Sequence, residues 1–142
     1  MKIALIAHDG KKADMVAFLK DNIAVLKDSQ VELIATGTTG KHIQKMGLEV
    51  DRVASGPLGG DAQIAAEVTK GNISMVLFFR DPLDTHPHEP DIAMLMRVCD
   101  VHNVSLATNP ETARQLFQAT FYASKAFTVT NFSEKDILLL NQ

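Results

Sequence analysis

Short apolar runs alternate along this chain with stretches in which apolar residues recur every three or four positions. Ile3 to Ala7 is apolar throughout, and comparable runs stand at Val31 to Ala35, Ile73 to Phe79 and Val104 to Ala107. Runs of this kind mark strands covered on both faces, as strands of a parallel sheet are. Glu49 to Ala54 alternates polar and apolar residues and reads as a shorter strand nearer a sheet edge. Between the strands, Met15, Phe18, Leu19, Ile23 and Leu26 keep helical spacing, as do Ile92, Leu95, Met96 and Cys99. Helices are also predicted over Asp61 to Lys70 and Pro110 to Phe117; Phe127 to Thr130 is a candidate further strand and Ser133 to Leu140 a closing helix. Strand and helix in this alternation predict an α/β fold, with a mostly parallel five-stranded sheet and helices on both faces.

Composition narrows the picture without changing it. The chain of 142 residues has room for one full core, and no repeat, low-complexity tract or linker divides it, so a single domain over 1–142 is expected. Fourteen Lys and Arg against seventeen Asp and Glu leave a charge of -3, which lacks the basic surplus that holds nucleic acid. The single cysteine, Cys99, excludes an internal disulfide and a cysteine-based zinc site and fits a reducing cytoplasm. Met1-Lys2-Ile3 runs straight into the first strand, and no apolar stretch reaches the roughly 20 residues of a membrane helix. A soluble cytoplasmic protein without membrane or nucleic-acid partners is therefore expected.

Ligands of open α/β sheets bind beyond the carboxyl ends of the strands, so the segments that follow the apolar runs matter most. Here they are polar and glycine-rich: His8-Asp9-Gly10-Lys11-Lys12, Thr36-Gly37-Thr38-Thr39-Gly40, Ser55-Gly56-Pro57-Leu58-Gly59-Gly60-Asp61, and Arg80 to Asp91. Thr36 to Gly40 sets small and hydroxyl residues where a strand turns into a helix, leaving backbone N–H groups for an anion such as phosphate; a Thr-capped helix is the plain structural alternative. Ala35 and His42 break the triphosphate-loop pattern, and neither Gly37 nor Gly56 opens a dinucleotide fingerprint. Asp61, at a helix start, is either an N-cap or a carboxylate held beside an anion site.

His86-Pro87-His88-Glu89-Pro90-Asp91 is the densest ionisable segment. A metal site is disfavoured because no matching ligand set stands elsewhere. His88 with Asp91 reads better as an acid/base pair, since imidazole titrates near neutral pH and a carboxylate orients it; the plain role of Asp91 is to meet a helix dipole. Lys12, one turn beyond His8 and Asp9, supplies a point charge for a dianion if the loops converge and is a solvated surface charge if they do not. Asp9 is either a cap or a group that fixes a neighbour. Cys99 falls on a core-facing stripe and reads as inert packing.

Taken together, Ala7-His8-Asp9 with Lys12, Ala35 to Gly40, Ser55 to Asp61 with Gln63, Phe78 to Leu83, Pro87 to Asp91, and Ala107-Thr108-Asn109 with Thr112-Ala113 resemble the methylglyoxal synthase family, in order and over the chain to about Ala113. The resemblance implies a Rossmann-like domain, a homohexamer, and a cofactor-free, metal-free lyase that converts dihydroxyacetone phosphate to methylglyoxal and inorganic phosphate through an enediolate. It places the base on Asp61 and its acid/base partners on His88 and Asp91, with His8 and Asp9 alongside. The phosphate ligands fall on Lys12, Thr36, Thr38, Thr39, Ser55 and Gly56. Inhibition by phosphate, often cooperative, is a trait of the family. Ser105 and Ala62 depart from its usual pattern, and no arginine follows Arg114, where some members place one against phosphate at a subunit boundary. The alternatives are an effector-binding regulatory module of the same fold, which needs the anion cradle but not the acid/base set, and an isomerase of triose phosphates.

Overall fold

The structure is a computed structural model that describes residues 1–123 and 138–139. Five parallel strands form one sheet in the order β3-β2-β1-β4-β5: β1 Lys2–Ala7, β2 Glu32–Thr36, β3 Asp51–Val53, β4 Met75–Phe79 and β5 Ser105–Ala107. The chain winds outward from β1 to β3, returns to the other side of β1 at β4, and ends at β5. The helices are α1 Lys12–Asp21, α2 Ile23–Leu26, α3 Gly37–Lys45, α4 Gly60–Thr69, α5 Glu89–Val101 and α6 Pro110–Phe121.

Side chains alternate across the pleat, so each strand feeds two cores. Ile3, Leu5 and Ala7 of β1 face Met15, Phe18 and Leu19 of α1, Ile43 of α3 and Phe117 of α6. Ala4 and Ile6 face the opposite way, toward Ile64 and Val68 of α4 and Ile92, Leu95 and Cys99 of α5. The expected α/β winding, parallel sheet and two helical layers are all present, and Cys99 is buried, its thiol pushed up to about 11 by burial.

Two local departures have physical causes. The helical spacing that runs on to Leu26 does not make one helix: at Asn22 the backbone leaves helical geometry, the Asn22 amide donates to the Phe18 carbonyl at 2.8 Å, and the chain restarts as α2. The edge strand is shorter than Glu49 to Ala54, because only Ile34 to Thr36 of β2 offers it partners and the Ala54 N–H donates instead to Gln63 Oε1 at 2.8 Å. The candidate strand at Phe127 to Thr130 and most of the closing helix lie outside the described residues. Among the described residues, no helix is long and apolar enough to cross a membrane.

Candidate active site

β1 and β4 are neighbours although α1, β2, α3, β3 and α4 intervene in the chain, so the winding reverses between them. Such a reversal opens a crevice at the carboxyl ends of the strands. There a cavity of about 270 Å³ is lined by His8, Asp9 and Lys12 after β1, Thr36, Thr38 and Thr39 after β2, Ser55, Gly56, Pro57 and Asp61 after β3, and Asp84, Thr85, His86, Pro87 and His88 after β4. The four polar loops picked out in the sequence meet on this rim. All the expected phosphate ligands are here, with Asp61, His88, His8 and Asp9; Asp91, half-buried in the first turn of α5, is not part of the lining.

The cradle is a helix start with most of its donors unspent. Thr36 occupies the N-cap position of α3 but its hydroxyl makes no capping bond, so the first N–H groups of the helix have no side-chain acceptor, although the Gly37 N–H donates to the Ala54 carbonyl at 3.3 Å; Thr36 and Thr39 are buried. The Thr39 hydroxyl has no partner among the described residues. Gly37 lets the Ser55 backbone lie against this turn: a Cβ there would come 2.9 Å from Ser55 Cα. Lys12 donates to the Ala7 carbonyl at 3.1 Å and to Asp9 Oδ1 at 2.7 Å, which aims its ammonium along the cavity wall. Asp9, itself exposed, thus fixes a neighbour rather than capping a helix, and the Lys12 hydrogen bond holds its carboxyl below the usual range.

Asp61 lines the same cavity, against Gly56. It stands in the first turn of α4, whose N-cap position belongs to Gly59, and its carboxylate caps nothing. The side chain is completely buried and neither oxygen has a hydrogen-bond partner among the described residues. Desolvation pushes its carboxyl up from the ordinary range; nearby His88 opposes this and the charge of Asp91 adds to it. His88 Nε2 lies 3.5 Å from Asp61 Oδ2. The carboxylate that faces His88 is Asp61; Asp91 stands at the dipole-favoured start of α5, and its carboxylate makes no ion pair with His88. Gly56 is what allows the approach, because a Cβ there would meet His88 Nε2 at 2.7 Å and Asp61 Oδ1 at 3.3 Å.

His8 is held in one tautomer. Its Nδ1 accepts the Asp81 N–H at 2.9 Å, so in the neutral ring the proton resides on Nε2, a buried donor without a partner among the described residues. Burial, reinforced by His86, His88 and Arg80, lowers its pKa to about 4, and the ring is neutral at pH 7. His86 stacks on it with ring centroids 3.6 Å apart and 25° between planes. In the sequence His86 stands out only by the density of ionisable groups in its segment; its place on His8 follows from the β1–β4 pairing. Among the described residues, no group of three or more His, Cys, Asp or Glu has metal-binding geometry.

Fold and site together define a doubly wound α/β protein whose strand ends gather an open helix start, a buried carboxylate and three imidazoles around one cavity. Residues 14–108 match the family model described as "MGS-like domain". The chain is 56% identical over 118 residues to the methylglyoxal synthase of Borrelia garinii subsp. bavariensis, covering 82% of this chain and 92% of that protein. It is 57% identical over 120 residues to that of Carboxydothermus hydrogenoformans, covering 84% and 98%. The crystal structure of methylglyoxal synthase from Elizabethkingia anophelis superposes with a TM-score of 0.76 at 41% identity, covering 84% of this chain and 78% of that one. The chain belongs to the methylglyoxal synthase family, and is by that membership an enzyme, a lyase.

Proposed function

We propose that the chain is a carbon–oxygen lyase that converts dihydroxyacetone phosphate to methylglyoxal and inorganic phosphate. The observation that carries this reading is Asp61: a fully buried carboxylate with no hydrogen-bond partner among the described residues, beside an imidazole and in the same cavity as an anion cradle. A regulatory module needs the cradle alone; a bare carboxylate within it is costly unless it works as a base.

Asp61 takes a proton from the hydroxymethyl carbon, and the electron pair of that C–H bond forms the enediolate, with charge on the ketone oxygen. His8 Nε2–H and His88 are the donors toward that oxygen. His88 then transfers the remaining hydroxyl proton from the terminal oxygen to the central one. The terminal oxyanion re-forms a carbonyl, the C–C double bond moves over, and the C–O bond to phosphate breaks with its electron pair leaving on phosphate. The released enol becomes methylglyoxal by tautomerisation. Expulsion requires the C–O bond to stand roughly perpendicular to the enediolate plane, whereas an isomerase keeps it nearer that plane. The cradle of Thr36, Thr38, Thr39, Ser55 and Gly56 would therefore set a torsion as well as bind charge, while Lys12 and the start of α3 favour the departing dianion.

Assembly as a homohexamer, inhibition by inorganic phosphate and a cytoplasmic location belong to the same reading. Leu58 and Leu83, exposed on the two loops that frame the cavity, support the oligomer, and a lone buried cysteine supports the location. The test is product analysis: the purified chain given dihydroxyacetone phosphate is expected to release phosphate and a dicarbonyl in equal amounts. Glyceraldehyde 3-phosphate without free phosphate would reassign it as an isomerase.

A further inference from the structure

His86 is the one imidazole of the cavity that the scheme above does not use. Its ring lies almost flat on His8, centroids 3.6 Å apart, and meets His88 edge-on at 5.7 Å. Its Nε2 is buried without a partner among the described residues. His8 is otherwise held by edge contacts with Phe78 at 5.1 Å and His88 at 6.1 Å and by the Asp81 N–H on Nδ1. Edge contacts and a bond at one ring atom restrain rocking about that bond less than a face-to-face contact does. A flat neighbour on the open face removes the rocking.

We propose that His86 is a positioning residue: stacked on His8, it holds the plane of that imidazole so that the Nε2–H stays aimed at the oxygen where negative charge develops. The proposal rests on the reaction assigned above. Stacking needs a flat ring and no nitrogen, so the role belongs to ring shape. An oxyanion donor acts far more strongly in the transition state than on the bound ketone, so its aim governs kcat and leaves KM nearly alone. Misplacing such a group by about 1 Å costs on the order of a hundredfold. The titratable and charged groups around His8 are Asp9 after β1, His86 and His88 from the loop after β4, Arg80 just beyond β4, and Glu89 at the start of α5. Loss of His86 therefore leaves His8 less guarded from protonation.

The test combines kinetics with nitrogen NMR of the histidine rings on the full chain. In the unaltered protein the His8 ring should show its proton on Nε2 and remain neutral down to about pH 4; a proton on Nδ1 overturns the proposal whatever the variants do. His86→Leu should lose about tenfold to a hundredfold in kcat with KM within about threefold, and His8 should titrate at a higher pH. His86→Phe should restore kcat to within about threefold, because it keeps the flat face. His86→Leu at full kcat overturns the proposal, and so does His86→Phe falling as far as His86→Leu, which would mean that a nitrogen of His86 touches substrate. A chain that releases no phosphate from dihydroxyacetone phosphate overturns the assigned reaction and this role with it. An active chain indifferent to both variants overturns this role alone.

Discussion

The two ends of the sheet carry depressions of opposite character. At the amino ends of β2 and β3 a hollow of about 550 Å³ is lined by Leu26 to Ser29, Val31 to Leu33 and Gly47 to Asp51, whereas the cavity at the carboxyl ends has about 270 Å³. The larger one has charged residues too, but they are exposed or paired: Lys2 bridges to Asp51 at 3.0 Å, and Asp28 accepts the Gln30 N–H at 2.9 Å. In the smaller one the Asp61 carboxylate, the Thr39 hydroxyl and the Nε2 atoms of His8 and His86 are buried without hydrogen-bond partners among the described residues. A folded chain satisfies nearly all its buried polar groups, so a cluster of exceptions marks where a polar ligand completes the set. Volume alone would have chosen the wrong end.

The largest effect that sharpens this contrast is at Asp61. Asp61→Asn keeps the shape and removes the base, so kcat should fall by at least about 10³-fold and proton exchange at the hydroxymethyl carbon should cease. The same change should stabilise the fold at neutral pH. Burial pushes the native carboxyl up, so only between the ordinary carboxylate pKa and the raised one does the native state bind more protons than the unfolded chain; above both, the buried charge costs stability, which is full below the ordinary pKa and is lost as pH rises through the raised value. Thermal melting at pH 7.5 checks it: a variant that is inactive yet melts higher separates a working group from a structural one, while a lower melting point would assign Asp61 to the scaffold.

His8 gives the second test, with the opposite pH dependence. Its native pKa of about 4 lies below that of the unfolded chain, so its contribution is fully present above the ordinary histidine value and is lost as pH falls toward 4. Between pH 7 and pH 4 the native chain should lose roughly 2–3 kcal/mol more than His8→Gln does, measured by chemical denaturation. Equal losses would mean that His8 is hydrated and is not a buried neutral donor. Gly56 comes next. In Gly56→Ala the new methyl meets His88 Nε2, forcing that ring from Asp61, and kcat should fall about tenfold to a hundredfold with little change in melting temperature.

These residues also show where sequence reasoning reaches and where it stops. Position after a strand and loop chemistry were enough to gather His8, Lys12, Thr36, Thr39, Ser55 and Asp61, because the parallel order puts every strand end on one rim. The state of Asp61 was not legible: its burial depends on the bare Gly56 backbone and on His88, which comes from a loop beyond β4. For the same reason the sequence paired His88 with Asp91, its neighbour one helical turn away, when the fold sets it against Asp61. The break at Asn22 depended on a side-chain bond that competes with the helix, which hydrophobic spacing does not register.

The smallest expected effect belongs to the amino end and serves as the control for the others. Lys2 lies in the first strand and Asp51 on the edge strand, and their hydrogen bond raises the Lys2 ammonium above its ordinary value. The pair's contribution is thus full below the usual lysine pKa and fades as pH rises through the raised one. Asp51 is largely exposed, so solvent screens the pair; Asp51→Asn should cost less than about 1 kcal/mol, and the difference should shrink at high salt. Activity should stay within about twofold, because the substitution alters a paired surface charge at the end of the sheet remote from the base. A tenfold loss of activity in Asp51→Asn would show that the larger hollow takes part in the reaction, and the distinction between satisfied and unsatisfied polar groups would no longer separate the two ends.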